Sequence, residues 1–493
     1  MGAAPQTVSQ PLFLPRLRTF GDDLAPPRPA FFTLIPAVLA VVGMLVWMMG
    51  DDAGFVLACA VATVIGFYTL WDWLFRKGPT RFSTITAMAL LIGYGAGALN
   101  TWATLPRGSL SISATMGLPQ GVLARAIGAV LIVSALLYFL GEIFEKPIFG
   151  RDFRFTVDGR TRTLVCIGAL AMIAGYATHA IGFQGPTSVG SHLNPFGAFL
   201  AWLYAPLTAI SVTAFLTAPR GKSKVLSGIT MMVLLLMFSV MGRRSSVYTA
   251  VEILLVLGFS AYQWRGRTLH KALMILALAG VVIACSLTFM LLRIAGLTSH
   301  RTEQVTVAKR IEVAGRMVKK GGAYALAAST TTENVQRRTF VLGFLASVLE
   351  GSMKRPTAHG VDAAMQAQLV IPSFIYPDKD LSFSEEGLVD RLFGYGFGDQ
   401  PNSILTAGAT DFGLAGLLLY PLLLVGFSRI LFDLLARCFR AVPLMFVALS
   451  FILSFLQTES TITGYLETLR VSLFFGLVIA GFLAMPKLKL YDS

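Results

Sequence analysis

The sequence predicts an all-α integral membrane protein with about twelve spans, both termini inside and one large, partly helical loop on the outer side. Three observations predict it: an apolar composition, a series of helix-length apolar runs, and a one-sided distribution of Lys and Arg. Of the 493 residues, 55% are hydrophobic and only 13% are charged, and the mean hydropathy is +0.70, far above soluble globular domains. Lipid offers the backbone no hydrogen-bond partners, so a spanning segment must satisfy its own. Apolar runs of 17 to 23 residues suit helices better than barrel strands.

A tail over residues 1–30, with Pro26, Pro27 and Pro29 near its end, precedes the first apolar run. No small-residue cleavage site follows that run, so it reads as a span and not as a signal peptide. Apolar windows fall near 31–50, 53–74, 84–104, 121–140, 163–180, 195–217, 225–241, 246–263, 272–295, 411–432, 441–457 and 469–485. This organises the chain into a spanning segment 31–295, a loop 296–405, a second spanning segment 406–486 and a tail 487–493.

With the N-terminus inside, seventeen basic residues face one side: Arg76, Lys77, Arg81, Lys146, Arg151, Arg154, Arg160, Arg162, Arg220, Lys222, Lys224, Arg265, Arg267, Lys271, Arg429, Arg437 and Arg440. The outer connections after spans 1, 5 and 11 hold no Lys or Arg, and the one after span 3 holds only Arg107. The positive-inside rule then puts both termini in the cytoplasm. It also accounts for most of the net charge of +14 without invoking nucleic acid. Cys59, Cys166, Cys285 and Cys438 fall in spans or at a span's inner end, so neither a disulfide framework nor a CxxC metal site is expected.

One short outer connection runs against the rule. Arg243 and Arg244, in Met241-Gly-Arg-Arg-Ser-Ser246, stand where span 8 begins. The pair is either two snorkelling cations on lipid phosphate or an anion site, in which guanidiniums and the free N–H groups of a helix N-terminus converge on one ligand. Arg244, Tyr248 and Glu252 recur every four residues and share a helix face. On this topology Arg125, Glu252, Arg293, Asp411 and Arg470 also lie in the outer half of the membrane. An ionisable group there costs about 2.5 to 3.5 kcal/mol. Such groups need either interhelical partners or a wet cavity, and jointly they favour a polar cavity opening outward.

The loop from Leu297 to Leu405 carries 12 Lys and Arg against 11 Asp and Glu, so it is not simply a basic patch. Val307, Ile311, Ala314 and Met317 or Val318 follow helical spacing and stop at Gly321-Gly322. A second helix is expected from Val335 to Glu350, with Phe340, Phe344, Leu345 and Val348 on one side. Both are expected to lie on the outer leaflet or to cap the bundle. Ile371-Pro-Ser-Phe-Ile-Tyr-Pro377 is extended by virtue of its prolines. Phe393-Gly-Tyr-Gly-Phe-Gly398 reads as a hinge in preference to a sugar-stacking surface. His300 and His359 are the loop's histidines, and a lone histidine is more often a surface group than a base. No paired carboxylates at glycosidase-like spacing, HExxH, GxSxG or Walker loop occurs.

Several of these segments in this order resemble the Wzy-type bacterial polysaccharide polymerases. They are Gly242-Arg-Arg-Ser245 opening a span, Arg293 closing the next, and Arg337-Arg-Thr-Phe340 opening a loop helix. They continue with the Pro-bounded stretch 371–377, then Pro401-Asn-Ser-Ile-Leu-Thr-Ala-Gly-Ala-Thr-Asp-Phe-Gly-Leu-Ala-Gly416, then Arg470 in the last span. The match covers roughly residues 225 to 485, whereas the first six spans resemble the family only in hydropathy. The resemblance implies a GT-C-like polymerase and ligase architecture in the bacterial inner membrane. It implies that lipid-linked oligosaccharide units are joined at the periplasmic face, with undecaprenyl pyrophosphate as the donor's carrier. It calls for no metal, nucleotide sugar or other cofactor, and for partners such as the flippase and chain-length regulator of the same export pathway. Arg243, Arg244, Arg293, Arg338 and Arg470, with Tyr248, would then bind pyrophosphate, and Glu459, Asp411 or His359 would deprotonate the acceptor. An O-antigen ligase, a lipid-linked oligosaccharide flippase and a non-catalytic scaffold are the competing expectations. The folded loop and the lack of an inverted repeat of broken helices count against the flippase.

Overall fold

Helices dominate the computed structural model, as a chain dissolved largely in lipid requires. The structure describes residues 30–75, 80–104, 118–119, 121–149, 155–183, 185–186, 188–189, 192–259, 268–299, 307–338, 341–371, 375–376, 383–395 and 402–484. Both expected tails thus lie outside the described residues but for Ala30. In order, α1 spans Ala30–Met49, α2 Asp52–Phe75 and α3 Phe82–Leu90. A π-helical turn, Leu91–Ala96, leads into α4 (Gly97–Thr104), followed by α5 (Val122–Phe144) and α6 (Gly159–Ala177). Two hairpins of two-residue antiparallel strands, Ile181–Gly182 with Gly185–Pro186 and Ser188–Val189 with His192–Leu193, precede α7 (Pro195–Thr217). Then come α8 (Lys222–Leu236), α9 (Phe238–Met241), α10 (Arg243–Phe259) and α11 (Thr268–Ser299). The loop contributes α12 (Val307–Lys319), α13 (Ala323–Arg338), α14 (Val341–Lys354), α15 (Val361–Val370) and α16 (Glu385–Phe393). The chain closes with α17 (Ile404–Cys438), α18 (Ala441–Leu456) and α19 (Ile462–Ala484).

Among the described residues, seven helices are long and apolar enough to cross a membrane, and Leu34–Met49, Ser245–Phe259 and Ala441–Leu456 form shorter apolar helices. The runs expected at 163–180 and 225–241 are helical too, but less simply. The first turn of α6 carries Arg160 and Arg162, and the second run breaks at Met237 into α8 and α9, with Gly242 at φ +120 beyond.

Small residues let the first helices meet closely. A Cβ at Gly43 of α1 would stand 2.9 Å from the carbonyl oxygen of Gly128 of α5, and one at Gly128 2.7 Å from that of Gly43. This is the backbone approach that replaces hydrophobic driving force in lipid. At one end of the bundle the Glu145 carboxylate accepts from Phe82 N (2.6 Å) and Ser83 N (3.0 Å), capping α3. Arg81 pairs with Glu142 at 2.8 Å. Basic residues expected on the inner side bond to backbone carbonyls there: Arg160 to Leu483 (2.7 Å), Arg162 to Thr217 (3.0 Å), Lys224 to Phe215 (2.5 Å), and Arg429 to Lys146. Several of these carbonyls end helices, where a cation also meets the negative end of the dipole.

The loop departs from expectation in an informative way. The first helix is α12 and ends before Gly321 and Gly322, both at positive φ. The second expected helix is two, α13 and α14. Every residue of α14 from Val341 to Gly351 is buried, so α14 packs inside the bundle against α5 and α17 and does not lie on the leaflet. Gly343, Ala346, Ser347 and Gly351 sit among Leu and Phe and allow packing on all sides. A Cβ at Gly351 would meet the Phe393 ring at 2.7 Å. Glu350 then reaches Arg125 of α5 (3.8 Å) and Lys354 (2.5 Å), so one of the intramembrane charges has its partner in the loop.

Candidate functional site

The loop meets the spans at a polar junction built around α17. Its first turn is set by Ser403, whose Oγ accepts from Leu405 N and Thr406 N (both 3.2 Å). Thr406 Oγ1 accepts in return from Ser403 N (2.7 Å), a reciprocal cap. Eight residues later the helix breaks at Phe412 (φ −137, ψ 17) and Gly413 (φ 59, ψ −135), a backbone combination that only glycine adopts freely. The chain reverses so sharply that Gly408 and Gly416 touch backbone to backbone. The expected span at 411–432 is thus preceded by a separate, fully buried helical turn, Ile404 to Asp411.

Asp411 stands at the break and is fully buried. Its carboxylate accepts from Asp362 N (2.9 Å), Ala363 N (2.9 Å) and Tyr420 Oη (2.5 Å). Backbone bonds from Ala358 N to Thr410 O (2.8 Å) and from His359 N to Asp411 O (2.9 Å) complete the attachment. Asp411 therefore caps the N-terminus of α15, where a carboxylate is favoured by both free N–H groups and the helix dipole. At the other end of α15, the Arg470 guanidinium from α19 donates to the carbonyl oxygen of Val370. The two charges singled out in separate spans thus hold one ten-residue loop helix by its opposite poles.

The middle of α15 is tied down by Gln366. Its Oε1 accepts from Thr463 N (3.1 Å), and its Nε2 donates to Asp362 Oδ2 (2.8 Å) and Glu385 Oε2 (3.5 Å). Thr406 Oγ1 donates to Glu385 Oε1 (2.8 Å). Neighbouring bonds join Asn402 to Glu386 (2.9 Å) and Tyr94 to Ser403 (2.6 Å), so α3–α4, the loop, α17 and α19 share one network. The carboxylate pairing that sequence spacing did not suggest is thus assembled by the fold, in a place no solvent reaches.

Burial pushes the Asp362 carboxyl up to about 7, reinforced by Asp411 and Glu386. Burial pushes Glu385 well above the carboxylate range in the same way, with Asp362, Glu386 and Asp411 adding to it. An acid whose folded pKa is raised binds more protons folded than unfolded, so its contribution to stability falls as pH rises. For Asp362 the stabilisation is complete below about 4, declines towards 7 and is absent above. Helices α15 and α16 should therefore resist proteolysis better at acidic than at alkaline pH. Asp362→Asn with Glu385→Gln should flatten that dependence; an unchanged slope in the double variant would rule these groups out as its source.

The other expected site residues are distributed as follows. His359, at φ 52, is exposed immediately before α15. Glu459 is half-buried in the turn between α18 and α19, within electrostatic reach of Tyr94. Arg243 and Arg244 are the first residues of α10, Arg338 is the last of α13, and all three side chains lie outside the description. Tyr248 is half-buried one turn into α10, in electrostatic reach of Tyr465 of α19. Arg293 is half-buried near the end of α11, beside a separate apolar cluster of Phe289, Leu291 and Leu292 with Ala314 and Ala323. Glu252 is fully buried in α10, and neither carboxylate oxygen has a hydrogen-bond partner among the described residues. His300 lies outside the described residues, as do residues 372–374 and 377 of the Pro-bounded stretch and 396–398 of the Gly-aromatic one. Within the latter, Gly394 (φ 71) terminates α16.

Asp362, Gln366, Glu385 and Thr463 belong to the junction with Thr406, and these four carried no motif in the sequence. The one local signal was Ser403 followed three residues on by Thr406, a variant capping box. Among the described residues no three of His, Cys, Asp or Glu are placed to hold a metal ion. No known protein family, curated protein or solved structure matches this chain.

Proposed function

We propose that the chain is a lipid-linked-donor glycosyltransferase, a polysaccharide polymerase that joins undecaprenyl-pyrophosphate-linked oligosaccharide units at the periplasmic face of the bacterial inner membrane. The observation that carries the reading is the clamping of α15 between Asp411 and Arg470. A loop fastened by polar bonds to two spans, those of Asp411 buried, is a fixed wall for a site, whereas a transporter cycling between two openings would have to break those bonds each turn. In the reaction, an acceptor sugar hydroxyl attacks the anomeric carbon of the donor chain. The bond from that carbon to the pyrophosphate oxygen breaks, and the hydroxyl proton passes to a base. Negative charge builds on the leaving pyrophosphate, and guanidiniums held in a low-dielectric site stabilise it.

Arg470 suits this role because it is exposed beyond its bond to Val370, leaving other N–H donors for an anion. Arg243, Arg244, Arg293 and Arg338, with Tyr248, are proposed to complete the pyrophosphate site. The Asp411 carboxylate already accepts three hydrogen bonds, so we assign it to positioning α15 and leave His359 and Glu459 as the bases. Both termini are proposed to be cytoplasmic, in a twelve-span arrangement.

Purified protein in proteoliposomes with lipid-linked repeat units should extend chains without ATP. Arg470→Ala and Arg244→Ala should each slow extension about 100-fold or more, as loss of a charge-stabilising donor does, while membrane levels hold for both and the melting temperature holds for Arg244→Ala. Normal polymer from both variants would end the assignment. In cells lacking the protein, single lipid-linked units should accumulate; accumulation of long lipid-linked polymer would favour a ligase instead.

A further inference from the structure

The helical hairpin α12–α13 is the part of the loop that the bundle does not absorb. Arg310 is used within the fold, donating to Leu292 O (3.3 Å) and lying 4.4 Å from the centre of the Phe183 ring. Val313, Ala314 and Met317 pack against Phe289, Leu291 and Leu292 at the end of α11. The remaining surface of α12 has two parts. Ile311 and Val318, seven residues apart, form an exposed apolar strip, and Tyr324 and Leu326 near the start of α13 are exposed as well. Lys309, Arg316, Lys319 and Lys320 are exposed on the other arc, with Glu312 the one acid in Val307–Lys320.

The level of this hairpin is set by α11. The apolar window of that helix runs from Ile275 to Gly296, and α12 packs on its last two turns, Arg310 reaching Leu292 and crowding Gly296. Farther down the same helix Leu273, Leu276, Val281 and Ile283 are exposed apolar residues of a spanning segment, which face lipid. An amphipathic helix held at the border of the hydrocarbon layer, with an apolar strip and an arc of four exposed cations of which Lys309 and Arg316 share Glu312, has the composition of an interfacial anchor.

We infer that α12 and the start of α13 form a docking surface for anionic phospholipid headgroups, with Ile311 and Val318 dipping into the acyl boundary and Lys309, Arg316, Lys319 and Lys320 engaging headgroup phosphates. Charge complementarity selects the occupant: near a surface each basic residue adds attraction to anionic lipid that salt removes. The inference is independent of the proposed chemistry and needs only that the chain sits in a membrane.

The full chain in nanodiscs of phosphatidylglycerol or of phosphatidylcholine tests it by amide hydrogen exchange over 307–338. Exchange should be about tenfold slower in phosphatidylglycerol, a factor well within what four basic residues supply. High salt should remove the difference. The variant with Lys309, Arg316, Lys319 and Lys320 all replaced by glutamine should show none, while keeping the exchange pattern of α14. Equal exchange of the wild type in both lipids overturns the proposal, as does a difference that persists in the variant. Equal protection from inorganic phosphate in phosphatidylcholine discs would also overturn it, by showing a free-anion site. Should the fourfold variant fail to fold, the salt titration of the wild type decides alone: a difference insensitive to salt refutes the electrostatic reading.

Discussion

Gly416→Val should prevent the protein from accumulating in a folded state, or lower its melting temperature in detergent more than any other single substitution considered for this chain. A Cβ at Gly416 would overlap the carbonyl group of Gly408, and one at Gly408 would overlap that of Gly416. The obstacle in each direction is backbone, which has no rotamer with which to move aside. Overpacking costs about 1 to 3 kcal/mol where side chains can yield, and more is expected here. Opening the contact would also drag Asp411 away from α15, because the reversal at Phe412 and Gly413 is what turns its carboxylate toward the loop. Gly426→Ala on the same helix meets nothing within 4 Å and serves as the control, with no loss of stability expected. A normal melt for Gly416→Val would mean that the two arms of α17 do not fold back on each other.

Asp411→Ala should release α15 without unfolding the bundle. The substitution leaves Asp362 N, Ala363 N and Tyr420 Oη without their acceptor. Removing one charged partner from a buried set costs about 3 kcal/mol or more. The bonds that remain, from Gln366, from Arg470 and between the backbones of 358–359 and 410–411, contribute about 1 kcal/mol each, so α15 keeps a weakened attachment and opens far more often. Limited proteolysis should then cut within α15 more readily than in the wild type, and the proposed polymerisation should fall with it. Asp411→Asn separates positioning from chemistry. Its amide oxygen still accepts from one or two of the donors, so partial protection and partial activity should be lost in proportion. Activity abolished with protection intact would instead make Asp411 the base. Arg470→Lys gives a companion test at the other pole, retaining charge but not the planar fork that reaches Val370 while presenting further donors.

The helical, membrane-spanning character was legible in the chain because hydropathy is a sum over neighbouring residues and needs no knowledge of distant ones. The helix α12 and its stop at Gly321 were legible for the same reason, from spacing and glycine alone. The loop's deeper half was not. Val341–Lys354 has the composition of a surface amphipathic helix, and its burial depends on α5 and α17 supplying facing surfaces from opposite ends of the sequence. Likewise Asp411 and Arg470 were marked out as costly charges in spans, yet nothing in the sequence said that they serve the same helix.

The charges that need partners were thus determined by the sequence itself; which partners they take was decided by the tertiary structure. The reason is physical. Asp411 binds the backbone N–H groups of residues 362 and 363, and Arg470 binds the backbone carbonyl of residue 370. Those groups are present at almost every position in the chain and leave no residue type to read. Only the reversal at Gly413, with Gly408 against Gly416, selects among them.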